Sequence, residues 1–272
     1  MSRPKSILAI FMVLVLMALP HGIASADAPV PGDSNTDPAG GIDSRMRNRS
    51  DPNYVYSQEE LDRIAAKQAI VDQYAIQRAS GENSNRETLG ADSIGPSSIG
   101  GKSLAVGVWQ EPNDWAHRNY CGPASSQVAL DARLPATGVP GIETLAAEEG
   151  LDPNWGVYMQ NVCPVLNSHL GSTFYETAGS GSQSTFYDRV VFDIGSNYAT
   201  VTGVKTLGMP GWSVVALHIV TIYGYNEPDI TTQYIYYTET AGSVAGYTGS
   251  YWQSALRQNM WTYVSPNDVQ CW

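Results

Sequence analysis

Cysteine is scarce, with three in 272 residues. That excludes a small fold built on disulfides. Bases are scarce as well, 15 Lys and Arg against 26 Asp and Glu, for a net charge of −11. No block of basic residues occurs, which argues against nucleic acid or an anionic membrane surface as the partner. Beyond the amino terminus no apolar run is long enough to read as a transmembrane helix. What the chain does hold is a hydrophobic fraction of 43%, with 7 Trp, 16 Tyr and 4 Phe. Such a composition can bury a core and is not that of a disordered protein. The length suits one or two domains of about 150 residues each.

Residues 1–26 read as a secretory signal. Arg3 and Lys5 form a positive start, Ile7–Leu19 is apolar, and Pro20, His21 and Gly22 break the run. Ala24-Ser25-Ala26 offers the small side chains that a signal peptidase requires. Cleavage after Ala26 removes two bases and no acid, leaving 13 bases, 26 acids and a net charge of −13. No Cys lies at that point to carry a lipid anchor. The expected location is extracellular or cell-wall-associated, off the membrane once the signal is cut.

Residues 27–103 read as a linker around one isolated helix. Asp27–Asp51 is rich in Pro, Gly, Asp and Asn. Ser57 then suits an N-cap with Glu60 as its capping-box partner. Leu61, Ile64, Ala65, Val71 and Ala75 recur at helical spacing, with Gln68 interrupting the stripe. The helix is expected to end near Ala79-Ser80-Gly81, with Gly81 at C′. It is either a pro-segment that caps or inhibits the folded domain, or a spacer. Residues 82–101 show no period.

All seven Trp, 13 of the Tyr and all three Cys come after residue 104, so the folded domain is placed at 104–272. A helix is expected after Cys121, with Pro123 in its first turn. Strands are expected at His218–Tyr225, Gln233–Thr240 and Trp261–Val264, with Asn226-Glu227-Pro228-Asp229 as a turn. One early helix ahead of clustered strands points to an α+β fold with an antiparallel sheet.

The stretch that carries chemistry is Asn119-Tyr120-Cys121-Gly122-Pro123-Ala124-Ser125. A cysteine at a helix start faces backbone N–H groups and the positive end of the dipole, which should lower its pKa and activate it as a nucleophile. This stretch resembles the nucleophile helix of papain-like cysteine peptidases, most closely the C39-like group of secreted bacterial proteins. The resemblance spans roughly residues 104–265. It implies a papain-like fold, with the nucleophile helix packed on an antiparallel sheet. It implies His218, in Leu217-His218-Ile219-Val220-Thr221-Ile222-Tyr223-Gly224-Tyr225, as the general base. Glu239 falls where the family's third residue lies, although Asp or Asn is more usual there and no Pro comes after it. Gln110 is implied as the side-chain donor to the oxyanion, with Asn119 as its rival. A hairpin closing around 226–232 would set Tyr225 near Gln233 and His218 opposite 239–240. A one-residue slip would turn Glu239 to the other face.

Other readings of the same residues stay open. Cys121 could be a buried structural thiol or half of a disulfide. Equally, Cys163 and Cys271 can bridge and leave it free. His117, Cys163 and His169 could form a metal set, but their spacings match no paired template, and neither metal nor cofactor is expected. Asn48-Arg49-Ser50 fits a glycosylation acceptor and carries little weight alone. The function expected from the resemblance is a secreted cysteine peptidase acting on a peptide or protein substrate. The alternatives are a cell-wall peptide amidase or endopeptidase, and an inactive surface-binding module of the same fold.

Overall fold

The computed structural model describes residues 45–80, 100–229 and 231–272. The signal, most of the linker, Gly81 and 82–99 lie outside the described residues.

Ten-residue strand β4 (Leu217–Asn226) organises the fold. Thr, Val and Ile fill its middle, and two flanking strands hide both of its edges there, so it is buried almost throughout. The described strands are β1 (Lys102–Ser103), β2 (Thr177–Ala178), β3 (Thr200–Lys205), β4, β5 (Tyr234–Thr238), β6 (Trp252–Leu256) and β7 (Gln270–Cys271). They form one sheet in the order β2-β7-β3-β4-β5-β6, every pairing antiparallel, with β1 paired to the far end of β4. Helices α1 (Gln58–Ala79), α2 (Cys121–Asp131), α3 (Ile142–Glu148), α4 (Met159–Leu170), α5 (Gln183–Gly195) and α6 (Arg257–Val264) accompany it. The fold is α+β, with α2 packed against an antiparallel sheet.

Two expectations are corrected. Residues 261–264 belong to helix α6 and not to a strand. Their aromatic and β-branched side chains suggested extended chain, yet Met260, Tyr263 and Val264 recur at helical spacing and are the residues buried. The second concerns α1, which is not isolated. Ser57 caps it with the expected reciprocal Glu60 bonds. Its inward face, however, is Ile64, Lys67, Gln68, Val71 and Tyr74, while Leu61 and Ala65 lie exposed. Tyr74 meets Phe192 of α5 edge-on, ring centres 5.6 Å apart. Gln68, which seemed to interrupt the apolar stripe, accepts a 2.7 Å bond from Arg189 Nε. Lys67 lies over the rings of Phe174 and Trp272 and donates to the Phe174 carbonyl at 2.6 Å. Val71 and Tyr74 share one core with residues of α2, α4 and α5. The packed body therefore takes in 45–80 as well as 104–272.

Cys163 in α4 and Cys271 in β7 form a disulfide across 108 positions of sequence, and Cys121 is free. In the chain-entropy picture, closing a loop of that length stabilises by about 4–5 kcal/mol.

Candidate active site

The site forms where β5 leaves β4. The two strands pair from Thr221 with Thr238 outward. Below that point the edge of β4 is open, and the amino end of α2 fills the gap. Ser125 Oγ donates to the Ile219 carbonyl at 3.1 Å, and Thr221 Oγ1 donates to the Ser125 carbonyl at 2.8 Å. Small residues allow this approach. A Cβ on Gly122 would collide with the Val157 side chain. Pro123 sits in the first turn, where its missing N–H has no partner to lose.

Cys121 is thereby the first residue of α2, 2% exposed. The N–H groups of Ile219 and Gly122 face its sulfur. Ile219 is the residue directly after His218, so the strand that contacts the sulfur also carries the imidazole.

His218 is 3% exposed and Glu239 fully buried. His218 Nε2 lies 2.6 Å from Glu239 Oε1. Trp212 Nε1 donates to the other oxygen, Oε2, at 2.9 Å, and the Ala241 N–H donates to Oε1 at 3.2 Å. The Trp212 ring also stands edge-on to the imidazole, 4.8 Å between centres. Trp212 reaches them from a turn in which Gly211 has φ 84°, a conformation that suits glycine. The strand register differs from the simple hairpin. A shift between Ile222 and Gly224 and a longer connection pair Tyr225 with Ile235. Continuing the Thr221–Thr238 register sets His218 opposite residue 241, with Glu239 diagonal to it on the same face.

The thiol pKa runs opposite to the expectation. Burial raises it well above the ordinary value, and a charge on the nearby Glu111, when that group is ionised, pushes the same way. The Ile219 and Gly122 N–H groups lower it, but by less. The helix end contributes as the sequence suggested, and desolvation outweighs it.

Glu111 was not singled out by its sequence. It is 5% exposed, and Oε2 accepts the Tyr120 N–H at 3.1 Å. Its neighbour Gln110 is exposed. Asn119 turns away, donating to the Pro153 carbonyl at 2.9 Å. The signal for Glu111 was slight: a carboxylate ten residues before the cysteine. Trp212, too, is not marked by its sequence.

Residues 45–49 cross the site. The next open position along β4 after Ile219 is Leu217. Its N–H faces Met46 Sδ at 3.3 Å, and its carbonyl accepts from Asn48 Nδ2 at 3.2 Å. The backbone N–H of Asn48 donates to the Val157 carbonyl at 2.6 Å, and Asn48 Oδ1 accepts the Val157 N–H at 3.2 Å. Val157 is the residue against Gly122. Asn48, considered as a glycan acceptor, is 1% exposed and held at both ends of its amide. A cleft of about 310 Å³ lies elsewhere, between α1 and α4, and Cys121 does not line it.

The metal alternative loses Cys163 to the disulfide. His117 is held between Asp114 and Glu143 at 2.7 and 2.8 Å, and His169 lies 2.6 Å from Glu148.

No protein-family model matches the chain, and no curated protein matches it in sequence. Among the solved structures to which the chain is similar at low identity are three cysteine proteases. The proform of the Amb a 11 cysteine protease, a major ragweed pollen allergen, is 10% identical, covers 70% of this chain and 67% of its own, with a TM-score of 0.43. Recombinant stem bromelain precursor is 11% identical, covering 80% and 93%, with a TM-score of 0.44. The bromelain protease from Ananas comosus in complex with the E64 inhibitor is 11% identical, covering 61% and 93%, with a TM-score of 0.37.

Proposed function

We propose that the chain is an exported cysteine peptidase of the papain-like, C39-like type, with Cys121 as nucleophile, His218 as base and Glu239 as the residue that orients it. The carrying observation is the His218–Glu239 pair, buried and braced by Trp212, one residue along β4 from the strand position that contacts the Cys121 sulfur.

Glu239 accepts from Nε2, so the neutral ring keeps its proton there and Nδ1 is the basic nitrogen. With the thiol pKa raised by burial, a base is needed as the sulfur attacks. The sulfur bonds to the carbonyl carbon while its proton passes to Nδ1. The imidazolium, balanced by Glu239, returns that proton to the leaving amine as the carbon–nitrogen bond breaks. Water, deprotonated by the same nitrogen, then hydrolyses the thioester and restores the thiol.

The buried sulfur and the strap at 45–49 describe a closed state. We read the strap as the inhibitory part of a pro-segment. It takes the backbone groups of Leu217 and Val157 that an extended peptide would use. Helix α1 is by contrast packed into the core, so release of the strap, not loss of the whole 27–103 region, is the activating step.

Cys121→Ala should abolish peptide hydrolysis, a fall of about 10⁶-fold, together with iodoacetamide labelling at that position. Labelling of Cys121 should also quicken in an Asn48→Ala variant as the strap loosens. Turnover unchanged in Cys121→Ala would refute the assignment. The inactive-module reading rests on Glu239 standing where Asp or Asn is more usual; full labelling of Cys121 by a thiol probe at neutral pH would count against it, and Cys121 is free.

A further inference from the structure

An acyl transfer at Cys121 needs a donor for the negative oxygen of the tetrahedral intermediate. The Cys121 N–H at the tip of α2 is one donor. A second is usually a side chain, and Gln110, the residue expected to supply it, is exposed.

The next residue, Glu111, is instead buried beside the nucleophile. Its own N–H is tied to the Thr240 carbonyl at 3.0 Å, beside Glu239. Its Oε2 takes the N–H of Tyr120, the residue before the nucleophile. Its Oε1 is buried and has no hydrogen-bond partner. A buried carboxyl oxygen with no partner is costly unless something is to be bound there. Three acidic groups converge here: Glu111, Glu239 and the Cys121 thiol. Glu239 has His218, Trp212 and the Ala241 N–H to support its charge. Glu111 has a single N–H. Of the two carboxyls, Glu111 is the one left to carry a proton, and with Oε2 already accepting, that proton sits on Oε1.

We infer that Glu111 acts as a neutral carboxylic acid, donating its Oε1–H to the oxyanion alongside the Cys121 N–H. This rests on the peptidase reading. When the tetrahedral intermediate forms, the carbonyl oxygen gains the electron pair of the broken π bond. The Oε1–H stays on Glu111 and hydrogen-bonds to that oxygen, and the bond weakens again as the carbonyl re-forms. Burial first, and then the charge of Glu239, raise the Glu111 pKa well above the usual range, in keeping with the neutral form. Of the charged and titratable groups, Glu239 and Cys121 act on it directly, His218 lies against Glu239, and Glu149 lies near Gly122 of α2.

The test compares two reactions of the full chain, one with an oxyanion and one without, in a background (the wild type of this test) whose strap is loosened by Asn48→Ala. Hydrolysis of a peptide amide and of a p-nitrophenyl ester passes through the oxyanion, whereas alkylation of Cys121 by iodoacetamide does not. In Glu111→Ala, kcat for hydrolysis should fall about 10²–10³-fold with little change in KM, the effect of removing one such donor. Its neutral-pH alkylation rate should stay near that of the wild type. Glu111→Gln should restore most of the turnover. It should also lack the alkaline fall in kcat that the wild type shows as Glu111 ionises and its donor becomes a repelling charge. Full hydrolysis by Glu111→Ala overturns the assignment. So does an alkaline limb that persists in Glu111→Gln, or a Gln variant as inactive as the Ala variant. If Glu111→Ala does not fold, the pH profile of Glu111→Gln decides. A wild type that is alkylated at Cys121 but hydrolyses neither substrate overturns the peptidase reading and the role of Glu111 with it.

Discussion

Helices α1 and α2 are held by opposite means. Helix α1 has 22 residues, a complete capping box and acids in its first turn, yet only Val71 and Tyr74 are buried. Helix α2 has 11 residues and no side-chain cap, and every residue from Cys121 to Leu130 is buried. The first is a helix by its own local chemistry and adheres through a few polar and aromatic anchors. The second is a helix because the sheet edge accepts it. An isolated helix of that length is marginal in water. Cys121, the proposed nucleophile, sits on the second kind. Tertiary packing that forces small residues against β4 is also what buries the Cys121 sulfur beside Glu111 and the strand that carries His218.

The contrast can be broken most sharply at Tyr74. Because α1 rests on so few buried side chains, Tyr74→Ala should cost about 3–5 kcal/mol, as for other large aromatic truncations. Denaturant unfolding measures it. Iodoacetamide labelling of Cys121 in the native state should change little. A loss under about 1 kcal/mol, the size of an ordinary surface effect, would mean that the polar contacts of Lys67, Gln68 and Arg78, the last paired with Glu227 at 3.3 Å and Asp188 at 3.6 Å, hold α1 by themselves.

Next comes pH, which acts through a buried acid packed against each helix. Burial lifts the Glu149 carboxyl, beside α2, to about 8, and that of Asp193, beneath α1, to about 6. In the fold each keeps a proton that the unfolded chain has released. Stability should therefore fall as pH rises from the ordinary carboxylate range, through about 6 for Asp193 and through about 8 for Glu149. The melting temperature should be higher at pH 5 than at pH 8. Glu149→Gln should make the fall shallower from the ordinary carboxylate range up to about 8, leaving the share of Asp193, which ends near 6, and that of Glu111, whose carboxyl burial also raises. A melting temperature equal at the two pH values would contradict the burial of these groups.

The smallest effect concerns the cap. Ser57→Ala should cost about 1 kcal/mol, seen as earlier fraying of α1 in hydrogen exchange, with hydrolysis untouched.

Several features were legible in the chain because their causes are local. The Ser57–Glu60 box lies within one turn. The Cys121-Gly122-Pro123 start of α2 combines a tight turn with a proline that lacks only a dispensable N–H. The His218 strand alternates cleanly. Parity of three cysteines allowed the Cys163–Cys271 bridge. Features that depend on distant partners were not legible. Residues 261–264 look extended until Met260 and Tyr263 find their core. The inward face of α1 turns on Arg189 and Trp272, more than 100 positions away. Glu111 looks like a solvated loop acid until the Tyr120 N–H and the Thr240 carbonyl enclose it.

Residue type and near-neighbour spacing sufficed to mark a cysteine at a helix tip and a histidine on a strand, since both arise from short-range sterics and hydrogen bonding. Folding in three dimensions settled the pairing of Glu239 with His218, the closing strap at Asn48 and the buried carboxyl of Glu111. Those depend on a bulged register, on desolvation and on which backbone groups are left open at a sheet edge, quantities with no value until the chain has packed.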